Sequence, residues 1–169
     1  MALVDLFSGC GGFSLGAHRA GYNVAVAFDN DETLTSSFSR NFPDTILHLR
    51  DVAQLRGDTI AELAGGTIDG IFGGPPCQGF SDIGRRDVDD PRRQLLGHFF
   101  RIVSELAPRF FVMENVKGLA YSDARGVLDA AMAMVEDRYQ LLGPIILDAA
   151  DYGAATKRRR LFVIGIRND

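Results

Sequence analysis

The sequence has little cysteine and little histidine, and this scarcity restricts the kinds of site that it can form. Its two cysteines, Cys10 and Cys77, are poor evidence for a disulfide and too few for a cysteine-rich zinc site. Its three histidines, His18, His48 and His98, do not have the spacing of metal ligands. We therefore predict no metal site.

Long apolar runs are also lacking. No segment approaches the roughly 18 consecutive apolar residues of a membrane-spanning helix. Residues 1–5 carry no basic cluster and include an acid, so they do not resemble a secretory signal. We expect a cytoplasmic protein without a membrane partner, and the sequence contains no internal repeat or low-complexity tract.

The charge of the chain is acidic in total but unevenly distributed. Its 169 residues carry a net charge of −4, with 46% apolar and 24% charged residues, which is the composition of one globular domain. An acidic total argues weakly against a protein that coats nucleic acid. Positive charge is nonetheless clustered at Arg85 and Arg86, at Arg92 and Arg93, and in residues 157–160. Such clusters can contact phosphates, although each one alone is also compatible with ordinary solvated surface.

Short apolar runs alternate with amphipathic stretches along the chain. The runs predict strands at residues 2–6, 24–28, 45–49, 68–72 and 110–113, with a closing pair at 139–147 and 161–166. Helices are predicted through residue 20 and at 32–42, 95–106 and 124–136. Strands that are apolar on both faces and alternate with helices indicate a doubly wound α/β domain with a mostly parallel, Rossmann-like sheet. The polar residues 80–93 are predicted to form a long mobile loop, a kind of loop that is usually functional.

A glycine-rich turn connects the first predicted strand to the first helix. It comprises residues 5–13, Asp-Leu-Phe-Ser-Gly-Cys-Gly-Gly-Phe. Glycines allow a tight turn, and the free amides at the start of a helix favour a phosphate or a carboxylate. Asp29 ends the next strand, where an acid binds the ribose hydroxyls of a nucleoside. Asp51 and Val52 follow the third strand and could bind an adenine amino group and ring, although an ordinary turn with two acidic caps is the alternative.

The turn does not have the dinucleotide-binding pattern G-x-G-x-x-G. It suits a ligand with an adenosine and a small carboxylate better than one with a pyrophosphate. S-adenosylmethionine has that shape and is therefore the expected cofactor.

Three further motifs lie at the ends of predicted strands. Cys77 follows Gly-Gly-Pro-Pro at the carboxyl end of the fourth strand, where prolines stiffen the approach to its thiol. A thiolate there would be a nucleophile, with a buried structural cysteine as the alternative. Glu114 ends the fifth strand and can exchange a proton if burial raises its pKa, or can cap a turn. Arg158 and Arg160 would point to one face, which suits a carbonyl oxygen and phosphates.

In this order, the motifs resemble those of the DNA cytosine-C5 methyltransferase family. Residues 5–13 are similar to its cofactor motif, and residues 76–78 (Pro-Cys-Gln) to its nucleophile motif. Residues 114–116 (Glu-Asn-Val) are similar to its base-holding motif, and residues 152–160 (Tyr-Gly-Ala-Ala-Thr-Lys-Arg-Arg-Arg) to its arginine motif. The resemblance covers nearly the whole chain.

The resemblance implies a class I, S-adenosylmethionine-dependent enzyme that methylates C5 of a flipped-out cytosine in double-stranded DNA. Cys77 would attack C6, Glu114 would hold N3 and the amino group of the base, and Arg158 and Arg160 would bind O2 and nearby phosphates. Cofactor contacts are implied for Phe7, Gly9, Gly11, Gly12, Phe13, Asp29, Asn30, Asp51, Val52, Pro76 and Leu95. DNA contacts are implied for Gln78, Ser81, Arg85, Arg86 and Arg92, with the loop at residues 81–93 closing over the DNA.

Some features depart from the family pattern. Thr156 stands where many members have Gln, and Asn30 where several have an aromatic residue. The family's target-recognition region and closing motif have no counterpart within residues 1–169. We therefore expect an incomplete catalytic domain: a fragment, a truncated product, or one subunit of a split enzyme whose second polypeptide carries the recognition region.

Three alternatives differ from this interpretation. A non-catalytic module that folds and binds the cofactor weakly is compatible with the acidic charge and the missing recognition region. An RNA-acting member of the family is disfavoured because that branch departs from Pro-Pro-Cys-Gln after the cysteine. A nicotinamide oxidoreductase would leave Cys77 and Glu114 without roles.

Overall fold

The computed structural model describes residues 1–76, 94–121 and 123–168. Its strands are β1 (Ala2–Leu6), β2 (Asn23–Asp29), β3 (Ile46–Leu49), β4 (Gly70–Gly73), β5 (Phe110–Val116), β6 (Tyr139–Asp148) and β7 (Arg159–Arg167). Across these described residues they form one seven-stranded sheet in the order β3-β2-β1-β4-β5-β7-β6. Strands β1 to β5 pair in parallel, whereas β7 is antiparallel to both β5 and β6. The predicted doubly wound, mostly parallel α/β fold is therefore confirmed.

Helices connect the parallel strands, because each parallel connection has to cross back over the sheet. They are α1 (Gly12–Arg19), α2 (Phe38–Asn41), α3 (Gly57–Leu63), α4 (Gln94–Leu106) and α5 (Asp123–Met132), with 3-10 turns at Val52–Gln54, Lys117–Ala120 and Ala149–Tyr152. The apolar residues of α4 recur at helical spacing, so that Leu96, Phe99, Phe100 and Val103 are all buried on one side.

The main core lies between the sheet and helices α3, α4 and α5. Phe99 and Phe100 of α4 make edge contacts with Phe111 of β5. Burial of one such side chain stabilises the fold by about 1.5–3 kcal/mol. This packing holds the parallel strands in register, and their carboxyl ends share one edge of the sheet, which is where ligands bind in open α/β folds.

The predicted helix over residues 32–42 is wrong for most of its length, since α2 covers only its last part. The Asp31 side chain accepts hydrogen bonds from the amides of Thr33 and Leu34, both at 2.9 Å, and so forms a turn. The hydroxyl of Thr35 donates to the Asp31 carbonyl at 2.9 Å. Polar side chains that bond the nearby backbone compete with helix formation, and here they delay the helix.

Strand β5 is longer than predicted. It continues to Val116 instead of ending at Met113, because β7 pairs with it along its whole length, up to Val116 opposite Arg160. Glu114 therefore lies within the strand rather than at its end. Its backbone is held on one side by the ladder with β7, in which Glu114 lies opposite Phe162.

Two helices also differ from the prediction. α5 ends at Met132, before the predicted residue 136, and the turn that follows buries Val135 in the core. α3 is absent from the prediction, because its seven residues are too few to show a clear helical period. None of the helices in the described parts of the chain combines the length and the apolar character of a membrane span.

Candidate active site

The glycine-rich turn at residues 7–12 leaves β1 through a left-handed backbone. Phe7, Gly9 and Gly11 all have positive φ, at 60°, 50° and 93°. The Ser8 amide donates to the Phe28 carbonyl at 3.1 Å, and the Gly11 amide donates to the Ser8 carbonyl at 2.9 Å. A Cβ at Gly11 would overlap the ring of Phe42, so position 11 requires glycine for space as well as for conformation.

Asp29, at the end of β2, fastens this turn to the neighbouring strand. The side chain is only 8% exposed. Its Oδ2 accepts from the Gly9 amide at 2.8 Å, and its Oδ1 accepts from the Asp31 amide at 2.9 Å. Asn30, beside it, is exposed. The acid predicted to bind ribose therefore lies against the glycine turn.

Asp51 and Val52 lie next to Asp29 at the same edge of the sheet. Arg50 follows β3, and its amide donates to the Asp29 carbonyl at 2.8 Å. Asp51 then caps the 3-10 turn, with Oδ1 accepting from the Ala53 amide at 2.9 Å, and Val52 is buried in the main core. The structure thus brings together the predicted ribose and adenine positions, which the sequence separates by a whole strand.

Asp5 is a buried carboxyl beneath the glycine turn, and sequence reasoning gave it no role of its own. Its Oδ2 accepts from the Ser14 hydroxyl of α1 at 2.7 Å. Burial, opposed by hydrogen bonds from Ser14, raises the pKa of Asp5 to about 7. Among the described residues, Asp5 Oδ1 and the Ser8 hydroxyl are buried without a hydrogen-bond partner. Buried polar atoms are normally paired, so two such atoms at one turn fit a ligand that carries polar groups of its own.

A second cluster surrounds Glu114 on β5. Arg160 of β7 pairs with Glu114, with 3.0 Å between Nε and Oε1. A cavity of about 360 Å³ opens beside this pair. It is lined by Glu114, Leu147, Ala149, Tyr152, Arg158, Arg160 and Phe162. Arg158 and Arg160 therefore reach the same cavity, although Arg158 precedes β7 and does not share the strand alternation from which the prediction was made. The apolar lining of Leu147, Phe162 and Tyr152 has no separate assignment in the sequence, although the alternation of β7 puts Phe162 in phase with Arg160.

Burial raises the pKa of the Glu114 carboxyl above its usual value, while Arg160 and, less strongly, Arg158 oppose that shift. The Glu114 side chain is 23% exposed. Because burial outweighs the two arginines, the neutral form of this carboxyl is more accessible than that of an ordinary exposed glutamate. Such a group can either donate or accept a proton when a ligand replaces water around it.

Asp148 orients the hairpin that carries the arginines, and sequence reasoning missed it. Its Oδ1 accepts from the backbone amides of Ala150 at 3.2 Å and Arg158 at 2.9 Å. Its Oδ2 contacts Arg159 Nε at 3.3 Å. These hydrogen bonds lower the pKa of Asp148, and the bond from the Ala150 amide contributes most to that shift. The sequence signal was an acid just before a short turn, which is a common capping pattern.

The segment that leads into Cys77 runs next to Glu114. A Cβ at Gly74 would lie 3.2 Å from Glu114 Oε2, so the backbone passes the carboxyl closely. The buried side chain of Asn115 donates from Nδ2 to the Pro75 carbonyl at 3.1 Å. The exposed Pro76 follows, and Cys77 comes directly after it in the sequence. The structure therefore places the approach to the predicted nucleophile beside the predicted base-holding acid.

Other predicted residues are placed less centrally or are not described. The Phe13 ring stacks on Phe72 at 5.3 Å and lines a separate apolar cavity, so only its backbone belongs to the glycine turn. Phe7 packs in part against the main core, Gly12 starts α1, and Leu95 is half-buried near the start of α4. The remaining predictions lie outside the described residues: Cys77, Gln78, Ser81, Arg85, Arg86 and Arg92.

These features define a class of protein. A mostly parallel sheet with β7 inserted antiparallel between β5 and β6, and a glycine turn after β1, form the Rossmann-like fold of methyltransferases. The profile of the C-5 cytosine-specific DNA methylase family matches residues 1–169, and the chain belongs to that family.

Individual relatives agree with this assignment. The chain is 41% identical to the type II methyltransferase M.XorII of Xanthomonas oryzae pv. oryzae, over 97% of this chain and 40% of that protein. It is 38% identical to the type II methyltransferase M.AquIA of a Picosynechococcus species, over 98% of this chain and 71% of that one. A crystal structure described as a DNA modification methyltransferase of an E. coli prophage superposes with a TM-score of 0.89 and 44% identity, over 99% of this chain and 47% of that chain. The chain thus spans less than half the length of two of these three proteins.

Proposed function

We propose that this chain supplies the catalytic part of an S-adenosylmethionine-dependent enzyme that methylates C5 of cytosine in double-stranded DNA. Family membership supports the reaction class. The observation that carries the assignment is the closeness of three motifs. Glu114 pairs with Arg160 and lies beside Gly74, and Asn115 binds Pro75 just before Cys77.

Glu114 suits the N3 edge of cytosine. A protonated carboxyl has one O–H donor and one acceptor oxygen. Cytosine presents an acceptor at N3 and a donor at its amino group, so the two edges are complementary. Because burial raises the pKa of Glu114, the neutral form needed for this contact costs less free energy than it would in an exposed glutamate. Arg158 and Arg160 line the same cavity and would bind the O2 carbonyl and nearby phosphates.

Cys77 would serve as the nucleophile. Its thiolate forms a bond to C6, and the electron pair of the C5–C6 double bond makes C5 nucleophilic, while the proton on Glu114 balances charge at N3. S-adenosylmethionine, when bound, supplies an electrophilic methyl group to C5. Loss of the C5 proton to a base and departure of Cys77 restore the double bond. The cytosine has to leave the duplex for this chemistry, because its reacting atoms cannot be reached inside the base stack.

The glycine turn fits the expected cofactor. The first-turn amides of Gly12 and Phe13 have no partner within α1, because the first amides of a helix never do. They would bind the carboxylate of the methionine part. The Asp29 carboxylate would accept hydrogen bonds from the ribose hydroxyls. The Asp51 carboxylate would accept a hydrogen bond from the adenine amino group. The unpartnered Ser8 hydroxyl offers a further polar contact at the same turn.

Selection of the DNA sequence would depend on residues outside the matched part. M.XorII is more than twice as long as the part of it that this chain covers. We propose that the additional part of such proteins, in the same chain or in a second polypeptide, carries recognition. The predicted DNA contacts at Gln78, Ser81, Arg85, Arg86 and Arg92 would then serve the backbone and the opened base pair.

Covalent trapping tests the proposal. Duplex DNA with 5-fluorocytosine retains the enzyme, because fluorine at C5 cannot leave as the proton does. We expect a denaturation-resistant adduct when the chain is mixed with S-adenosylmethionine, the DNA and the part of M.XorII that it does not match. Cys77→Ser should abolish the adduct, whereas Cys10→Ser, which removes the other thiol, should retain it.

Two results would contradict the proposal. An adduct that survives Cys77→Ser would show that the nucleophile is misassigned. Absence of any adduct and of radiolabelled methyl transfer, with and without the added M.XorII part, would show that the chain is a non-catalytic module.

A further inference from the structure

Arg101 of α4 reaches across to the turn that follows Asp51. Its Nη2 donates to the Leu55 carbonyl at 2.8 Å and lies 3.4 Å from the Val52 carbonyl. The side chain is 27% exposed, so these bonds are partly shielded from water. A guanidinium offers several donors in a fixed plane, and here it spans the end of the 3-10 turn.

Glu105, one helical turn further along α4, completes this contact. Its Oε1 pairs with Arg101 Nη1 at 2.6 Å, and its Oε2 accepts from the Gly57 amide at 2.7 Å. A Cβ at Gly57 would lie 2.8 Å from Glu105 Cβ, so α3 begins in close contact with α4. Arg101 and Glu105 together therefore bind both ends of the segment from Val52 to Gly57.

His98 adds a third contact on the same side of α4. Its Nδ1 accepts from Arg101 Nε at 3.3 Å, which requires that this nitrogen carry no proton. Burial and then Arg101 lower the pKa of His98, and Asp51 opposes them. The influence of Asp51 places the imidazole within electrostatic reach of the predicted adenine-binding acid. Arg101 therefore contacts the turn after Asp51 directly, while His98 and Glu105 hold the guanidinium from either side along α4.

We propose that Arg101 is a positioning residue that holds the Asp51 turn so that Asp51 receives the adenine amino group. This inference rests on the proposed function, because it assigns a role within the cofactor site. Val52 and Leu55 are buried, so hydrophobic packing keeps the turn folded when Arg101 is removed. Arg101 contributes the orientation of the turn, because its guanidinium contacts the carbonyls of both Val52 and Leu55.

Two nucleosides that differ only at the adenine amino group test the role directly. S-adenosylhomocysteine has that group, and S-inosylhomocysteine has a carbonyl in its place. We expect the wild-type chain to bind the first at least tenfold more tightly in calorimetry. Arg101→Met should weaken the binding of S-adenosylhomocysteine about tenfold. It should also bring the ratio of the two affinities close to one. Arg101→Lys keeps the charge and a donor, so its affinity ratio should lie between those of the wild type and Arg101→Met. The same variant replaces Arg101→Met in the test if Arg101→Met does not fold.

Arg125→Met is the matched control. Arg125 forms an i,i+4 pair with Asp129 on the exposed side of α5, at 2.7 Å, as Arg101 does with Glu105 on α4. Arg125→Met should leave the affinities for S-adenosylhomocysteine and S-inosylhomocysteine unchanged.

The outcomes separate this inference from the proposed function. A lowered melting temperature with an unchanged preference, in Arg101→Met or Arg101→Lys, would show that Arg101 is only structural and would overturn the inference. A wild-type chain that binds neither nucleoside would overturn the cofactor site itself, and the inference with it.

Discussion

Asn115 donates a hydrogen bond from Nδ2 to the Pro75 carbonyl at 3.1 Å, and thereby joins the segment before Cys77 to the strand that carries Glu114. Asn115 Oδ1 accepts from the Val116 amide at 2.8 Å, which fixes the orientation of its amide group. The side chain is buried, so water cannot replace this bond without reorganisation. The Pro75 backbone is therefore held at a fixed position relative to the strand that carries Glu114.

Replacement of Asn115 by Ala should lower both stability and methyl transfer. The change leaves the Pro75 carbonyl without its donor, which costs about 1–3 kcal/mol of unfolding free energy. Misplacement of the approach to Cys77 should reduce methyl transfer by a larger factor, on the order of 10²-fold, because small displacements of reacting groups are expensive. Urea denaturation and single-turnover methylation would measure the two effects. The exposed Asn23, changed to Ala, is the control, and equal losses in both variants would contradict the positioning role.

The pH dependence of methyl transfer should report on Glu114. If the neutral carboxyl holds N3, activity falls as pH rises through its pKa. Arg160 lowers that pKa, so Arg160→Gln should move the fall to higher pH even though it also reduces the maximal rate. Glu114→Gln should remove the fall. Pre-steady-state rates of methyl transfer between pH 5 and 9 would show this decrease. If the decrease occurs at the same pH in Arg160→Gln as in the wild type, another group is titrating.

Asp5 should make the fold less stable at alkaline pH. Its pKa is about 7 in the folded protein, against 3.8 ordinarily, so folding favours the neutral form. The associated stability is fully present below pH 3.8 and is lost as pH rises through about 7. Asp5→Asn should remove this loss, with a gain at pH 8 on the order of 1–4 kcal/mol. Denaturation at pH 5 and 8 would test it, with the exposed Asp44→Asn as control, and a wild type equally stable at both would contradict the burial of a neutral acid.

Loss of Asp29 should weaken cofactor binding. Asp29→Asn keeps the shape of the side chain but replaces one of two accepting oxygens, at Gly9 or at Asp31, with a donor. We expect S-adenosylhomocysteine to bind at least tenfold more weakly in calorimetry. Asp44→Asn should bind normally. An unchanged affinity in Asp29→Asn would show that the ribose lies elsewhere.

The sequence predicted the sheet well because the order of its strands depends on short-range patterns, and the same patterns put several of the predicted site residues at one edge of that sheet. Two apolar runs, ended by Asp29 and by Gly73-Gly74, mark the carboxyl ends of strands. Because the strands are parallel, these ends lie together at one edge of the sheet, which is where open α/β folds bind ligands. The predicted helix does not form before Phe38, because the Asp31 side chain accepts hydrogen bonds from nearby backbone amides. Helical periodicity takes no account of that competition.

Contacts between distant side chains could not be predicted in the same way. Nothing in the spacing of Asn115 and Pro75 indicates their hydrogen bond, since it depends on how closely β4 and β5 approach. The same holds for Arg101 and Leu55, and for Asp148 and the amide of Arg158. These bonds are products of packing, and they decide the alignment of groups whose identity the motifs already indicate.

Both oxygens of Asp29 are already occupied by backbone amides, yet each carboxylate oxygen can accept more than one hydrogen bond. A sugar hydroxyl can therefore arrive at a second lone pair without displacing either amide. Because two backbone amides already hold the carboxylate, a sugar that binds there would have little further side-chain freedom to restrict. It also follows that the Gly9 amide should exchange slowly with deuterium in the ligand-free protein, which makes a single exchange rate a monitor of the empty site.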